Sequence, residues 1–263
     1  FYRIEGSGPA MVIIHGLYGS SDNWIGIARK LAGKYRVYCV DLRNHGHSPH
    51  HSDHSYRAMK DDLSEFFENH KLGSAVLLGH SMGGKTAMYF AADYPEKVSG
   101  LIVADIAPKN YLLEEDSPFL LHRNIFMAML ETDPSKFKTR GLIEDRLSEK
   151  IADQRIIKFL MKNVTTSAET HHFKWRLNVE ALYDHIEEIM EGVNPDWFAD
   201  RIPLLAYPVT FIRGTLSPYI RDTDIPVIKK IYPEATVIDI PDAGHWLHAE
   251  QPELFLSVVM QCC

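Results

Sequence analysis

The sequence predicts an α/β fold: a mostly parallel sheet with helices on both faces, and a helical lid inserted after the strand that follows the helix beginning near Met82. Continuously apolar runs alternate with helix-forming runs as far as Ile106 and again from Val209 onward. Strands apolar on both faces belong to parallel sheets covered on both sides. Between these stretches the alternation stops, and apolar residues recur at helical spacing.

Taken in order, residues 11–15 (Met-Val-Ile-Ile-His) read as a short buried strand. Residues 22–32 carry Trp24, Ile25, Ile27, Ala28 and Leu31 at helical spacing. Residues 35–40 form a second strand, and residues 56–69 a helix with Met59, Leu63, Phe66 and Phe67 on one side. Strands follow at 74–78 and 98–104, with a helix-forming run at 85–92 between them. The inserted stretch predicts helices near 119–131, 149–163 and 178–191, and no strand. Its Met127, Met129, Met161, Phe119 and Phe126 are read chiefly as packing, with some lining an apolar pocket. Residues 209–213 are a strand, 224–232 a helix and 235–240 the last strand. Pro252 suits the first position of a final helix running to about Met260. The division expected is a core domain of residues 1–107 and 208–263, with residues 108–207 as the lid.

The 263 residues suffice for a large core, and 45% apolar and 24% charged residues suit a globular chain. A net charge of −7 argues against nucleic acid or an anionic membrane surface as the main partner. No run of 18 apolar residues exists, so no spanning helix is expected. Cys39, Cys262 and Cys263 form no C-x-x-C or zinc spacing. Cys39 reads as a buried small hydrophobe, and a cytoplasmic location is expected. The chain opens on Phe1 rather than Met, which leaves open a leader segment removed before it. The expected oligomeric state is a monomer or small homo-oligomer.

Gly79-His80-Ser81-Met82-Gly83 lies between an apolar strand and a helix. In that context G-x-S-x-G is a nucleophile elbow: a turn so tight that a Cβ two places from the serine would clash. The serine then needs a base, and the base needs an orienting group. His245 follows the last strand, in Pro241-Asp242-Ala243-Gly244-His245-Trp246, and is the candidate base. An open parallel sheet brings that loop to the strand end that carries the elbow. The acid is usual after the strand at 209–213, but Ser217 stands there. Asp105, at the end of the strand after the elbow helix, is the candidate instead, and Asp242 is assigned to shaping the turn. The amides of Leu17 and Met82 are the expected oxyanion hole, with His15 holding the loop rather than acting as a base.

These residues together resemble the serine α/β-hydrolase superfamily over nearly the whole chain. Asp41-Leu42-Arg43-Asn44-His45-Gly46-His47-Ser48-Pro49-His50, Gly79-His80-Ser81-Met82-Gly83-Gly84-Lys85, Asp105-Ile106-Ala107-Pro108, Trp175-Arg176-Leu177-Asn178 and Ser217-Pro218-Tyr219 look like the small bacterial YbfF-type esterases. That group is similar in taking its acid from the position of Asp105. The resemblance implies hydrolysis of acyl esters and acyl thioesters, including acyl-CoA; the chemistry of the three residues requires no cofactor, and no metal is expected. Trp175, Arg176, Tyr219 and Trp246 are candidate substrate contacts.

His45, His47, His50, His51 and His54 crowd one loop, but its Ser, Pro and Asp do not promise the fixed geometry of a metal site. Lys85 is expected to pair with a buried carboxylate, and Arg176 to pack or pair within the lid rather than meet an anionic head group. A C–C bond hydrolase or lyase with the same three residues is the alternative enzyme. A non-catalytic small-molecule receptor is the alternative outside catalysis.

Overall fold

The computed structural model describes residues 1–115, 117–202 and 204–262; Cys263 lies outside them. In chain order the strands are β1 (Tyr2–Glu5), β2 (Ala10–Ile14), β3 (Arg36–Val40), β4 (Ala75–His80), β5 (Val98–Ala104), β6 (Val164–Thr166), β7 (Phe173–Trp175), β8 (Val209–Gly214) and β9 (Thr236–Ile240). The helices of the first part are α1 (Ile25–Leu31), α2 (Tyr56–Asn69) and α3 (Met82–Asp93). Between β5 and β8 come α4 (Phe119–Leu130), α5 (Arg140–Ser148), α6 (Gln154–Met161), α7 (Val179–Asp184), α8 (Ile186–Met190) and α9 (Pro195–Phe198). The chain closes with α10 (Ile225–Ile231), α11 (Leu247–Glu250) and α12 (Pro252–Gln261).

Seven strands form one sheet in the order β1-β3-β2-β4-β5-β8-β9. β1 runs antiparallel to β3, and the other pairings are parallel. Side chains alternate between its faces with a period of two. Val12 and Ile14 of β2 join the cluster on one face, and Met11 and Ile13 join the cluster on the other. The second cluster is closed by Trp24, Leu31, Phe255 and Val259, from α1, α12 and the turn before α1. The first is closed by α2, α3 and α10, and it continues without a break into the inserted segment through Phe126, Leu147 and Leu182.

Local chemistry sets the element ends. The Ser55 hydroxyl accepts the Ala58 N–H at 3.1 Å and starts α2. Asp153 caps α6 by accepting the Arg155 N–H at 2.8 Å, so the helix expected from residue 149 begins at Gln154 instead. The helix expected over 178–191 breaks at His185 into α7 and α8. The expectation of no strand in the insertion is corrected: β6 and β7 pair as an antiparallel hairpin, Val164 opposite Trp175. Each has three residues, too few to show an alternation. β1 was likewise not anticipated: it is a four-residue edge strand, and none of its residues is buried.

Because β2, β4, β5, β8 and β9 are mutually parallel, the loops that follow them gather at one sheet edge. Those loops begin at His15, Ser81, Asp105, Thr215 and Pro241.

No helix among the described residues is long and apolar enough to cross a membrane. Phe126, in the insertion, has no exposed surface. Phe126→Ala is expected to lower the unfolding free energy in urea by about 3–5 kcal/mol. A loss below about 1 kcal/mol would show that the insertion does not share the core.

Candidate active site

Ser81 occupies a backbone conformation that side chains rarely adopt, φ 53° and ψ −122°. Such strain costs on the order of 1–3 kcal/mol and persists only where neighbours impose it. Here the Ser81 N–H donates to the Ala104 carbonyl at 3.0 Å, and the Ser81 carbonyl accepts the Gly84 N–H at 2.8 Å. A Cβ on Gly83 would lie 2.7 Å from the Ile14 carbonyl carbon, so β2 can approach the turn only with glycine there.

His245 Nε2 lies 3.1 Å from Ser81 Oγ, and its Nδ1 lies 2.8 Å from Asp105 Oδ2. A carboxylate only accepts, so Nδ1 carries the proton and Nε2 is left bare toward the hydroxyl. Asp105 has no exposed surface and a φ of 53°. Its Oδ1 accepts the Gly214 N–H at 3.1 Å, and its Oδ2 also accepts the Ser217 hydroxyl. Ser217 therefore stands beside the carboxylate as a donor to it. Asp242 takes a φ of 55°, as a turn residue does, and its N–H donates to Thr215 Oγ1 at 3.1 Å.

The surroundings of His245 hold it from several sides. The His80 Nε2–H donates to its carbonyl at 2.8 Å. The Tyr219 ring stacks on the imidazole, with centroids 3.9 Å apart. The Gly244 N–H donates to Glu250 Oε2 at 2.6 Å. His248, its ring 4.1 Å from that of Trp24, packs against His80. Residue spacing did not mark His80, His248 or Glu250 as site residues, although His80 stands inside the serine motif itself.

The amides of Leu17 and Met82 have no acceptor among the described residues. Both residues line the cavity that holds Ser81 and His245. A Cβ on Gly16 would lie 2.8 Å from His80 Nδ1, so the loop carrying Leu17 can come this close only with glycine at 16. His15 braces that loop: its Nε2 accepts the Leu42 N–H at 3.0 Å and its Nδ1–H donates to the Gly16 carbonyl at 2.8 Å.

The cavity has a volume of about 620 Å³. Its insertion side is mainly apolar, from Leu121, Ile125, Ile156, Phe159, Ile189 and Met190. Tyr219 and Trp246 line it, whereas Trp175 and Arg176 do not. The Trp175 Nε1–H donates to the Met129 and Thr132 carbonyls at 3.2 and 3.0 Å, within the insertion. Arg176 pairs with Asp22 at 3.4 Å and so ties the insertion to the core. Lys85 also departs from expectation. Its Nζ donates to the backbone carbonyls of Ile189 (3.0 Å) and Glu191, not to a carboxylate. Burial without a bonded carboxylate lowers it to about 7.

The histidine-rich loop joins core to insertion. The His50 Nε2–H donates to the Arg176 carbonyl at 2.8 Å, and the His54 N–H donates to His185 Nε2 at 3.3 Å. Among the described residues no group of three or more His, Cys, Asp or Glu is placed to hold a metal ion.

Residues 9–252 match the alpha/beta hydrolase fold family. The chain belongs to that family. It is 35% identical over 260 residues to a Xenopus tropicalis protein named sn-1-specific diacylglycerol lipase ABHD11, covering 98% of this chain and 79% of that one. It is 32% identical over 249 residues to esterase YbfF of Escherichia coli K12, covering 95% and 91%. A solved structure called marine microorganism esterase superposes with a TM-score of 0.94 at 45% identity, over 100% of this chain and 98% of that one. The family resemblance drawn from the motifs therefore holds, as does the α/β-hydrolase fold.

Six histidines of this α/β hydrolase, five buried and His122 half-buried in the cavity wall, are held below the ordinary value of 6.5, chiefly by desolvation: His15, His45, His54, His80, His122 and His248. Below pH 6.5 the unfolded chain takes up protons that the folded chain refuses. Each such histidine then removes about 1.4 kcal/mol of stability per pH unit, until its folded value is reached. The melting temperature is therefore expected to fall steeply between pH 7 and pH 5. A flat profile over that interval would show that these rings are not kept neutral.

Proposed function

We propose that this chain is a serine esterase with Ser81 as nucleophile, His245 as general base and acid, and Asp105 as the group that orients His245. The continuous hydrogen-bonded line from Asp105 through His245 to Ser81, opening into an apolar cavity, carries this reading. Its esterase and lipase relatives support esters as the substrate class.

Ser81 Oγ attacks the ester carbonyl carbon while His245 Nε2 takes its proton. The carbonyl oxygen gains negative charge, and the Leu17 and Met82 amides donate to it. The tetrahedral intermediate collapses, the C–O bond to the alcohol breaks, and His245 returns the proton to the departing oxygen. Water then attacks the acyl-enzyme, again giving its proton to His245, and the acid leaves. Asp105 remains a carboxylate throughout and stabilises the imidazolium. Thioesters such as acyl-CoA fall within the same reading, because the same acyl-enzyme forms whether an alcohol or a thiol leaves. Residues 108–207 act as the lid that shapes the acyl pocket, with Tyr219 and Trp246 as substrate contacts.

Ser81→Ala is expected to abolish hydrolysis of p-nitrophenyl butanoate. Asp105→Asn is expected to lower kcat by about 10⁴, as loss of the orienting carboxylate does in a serine–histidine–aspartate site. Ser217→Ala removes only a donor to that carboxylate and is expected to cost about ten- to a hundredfold. A larger loss from Ser217→Ala than from Asp105→Asn would show that the acid is wrongly assigned.

A further inference from the structure

α4 places His122 in the wall of the cavity between two tyrosines of the core. His122 Nδ1 lies 3.1 Å from the Tyr18 hydroxyl, and Nε2 lies 3.1 Å from the Tyr219 hydroxyl. Tyr18 follows Leu17 in the loop after β2, takes a φ of 62°, and its carbonyl accepts the Asn163 Nδ2–H at 2.9 Å. The Tyr219 ring lies nearly flat on the His245 imidazole, the planes 21° apart. One side chain of the insertion thus joins the loop bearing the Leu17 amide to the ring that packs on His245.

The hydrogens of this clasp do not balance. Desolvation in the cavity wall lowers His122 to about 3, so its ring is neutral, with one N–H and one bare nitrogen. Burial raises both phenols, so each hydroxyl keeps its hydrogen. Three hydrogens are therefore present for two bonds. If the Tyr18 hydroxyl donates to Nδ1, then Nε2–H donates to the Tyr219 oxygen, and the Tyr219 hydrogen is left over. In the opposite arrangement the Tyr18 hydrogen is left over. Among the described residues neither hydroxyl has a second partner. Both tyrosines line the mainly apolar cavity, so a substrate oxygen that reaches the spare hydrogen is favoured over a hydrocarbon that leaves it without an acceptor.

We propose that the Tyr18–His122–Tyr219 clasp is a substrate-recognition site that donates one tyrosine hydrogen to an oxygen of the substrate outside the scissile ester group. Esters with an ether or carbonyl oxygen two or three bonds from the scissile group are then selected over their hydrocarbon isosteres. The reason is asymmetric: a site built to hydrogen-bond discriminates strongly against a ligand that lacks the partner. This inference rests on ester hydrolysis at Ser81.

Two isosteric pairs test it with the full chain. On the acyl side the pair is p-nitrophenyl methoxyacetate and p-nitrophenyl butanoate. On the alcohol side it is 2-methoxyethyl butanoate and butyl butanoate, followed by acid release. Within each pair the ratio of kcat/KM is compared between the unaltered chain, Tyr18→Phe, Tyr219→Phe and the double variant, which cancels the intrinsic reactivity of the esters. The double variant is expected to lose about five- to tenfold of the preference for the oxygenated ester in at least one pair. The responding pair shows whether the recognised oxygen lies on the acyl or the alcohol side. The single variant that removes the donating hydroxyl is expected to shift the ratio at least about threefold, which keeps the test available if the double variant does not fold. Ratios unchanged in both pairs, with activity falling equally on both members, would overturn the proposal and leave the clasp a structural tie. No turnover of any of the four esters by the unaltered chain would instead overturn the ester-hydrolase reading beneath it.

Discussion

A carboxylate shut away from water holds this site together. A buried charge is costly unless donors surround it. Asp105 meets that demand with the Gly214 amide, the Ser217 hydroxyl and the His245 ring. Those donors come from the end of β8, from the loop after it and from the loop after β9. The sheet order supplies the geometry: β5 lies between β4, which ends at the serine, and β8, which brings the donors. The end of either strand beside the site can offer a carboxylate to the same imidazole. In this chain β5 offers it, and the β8 loop supplies a hydroxyl to it.

The imidazoles divide into two kinds. His245 faces the cavity, with a carboxylate on one nitrogen and a hydroxyl on the other. His15 and His80 are buried and His122 is half-buried; all three are kept neutral, and each makes hydrogen bonds that fix a loop or a neighbour. A neutral ring can accept at one nitrogen while donating at the other, which suits the joints between segments. Between core and insertion, the His50 ring donates to the Arg176 carbonyl and the His54 backbone N–H donates to the His185 ring. The insertion is thus bound to the core by polar contacts at its margins and by a shared apolar cluster beneath.

Much of this was legible in the chain, and the exceptions have physical causes. α2 and β5 fall where the apolar residues put them, α2 because it is long enough to show a helical period and β5 because its run is buried almost throughout. Ser81 and His245 follow from local pattern, a tight turn and a loop after a last strand, and the structure brings them within hydrogen-bond distance. Asp105 emerged from the absence of a carboxylate near Ser217. By contrast, Trp175 and Arg176 were placed by a motif whose surroundings, the β6–β7 hairpin, were too short to recognise. Lys85 was expected to meet a carboxylate, but the C-terminal turn of α8 delivers carbonyls to it instead. His122 carried no local signal: its two tyrosines lie 104 and 97 residues away in sequence, and only the closed fold makes them neighbours.

We propose that the Ser81 hydroxyl is made reactive by a histidine that a buried carboxylate holds in place. Reaction of the intact chain with a fluorophosphonate, read by mass spectrometry of its peptides, addresses it most directly. One phosphonyl group per chain is expected on the peptide containing Ser81, forming far more slowly after His245→Ala. No adduct on Ser81, or one that forms as fast without the imidazole, would contradict it.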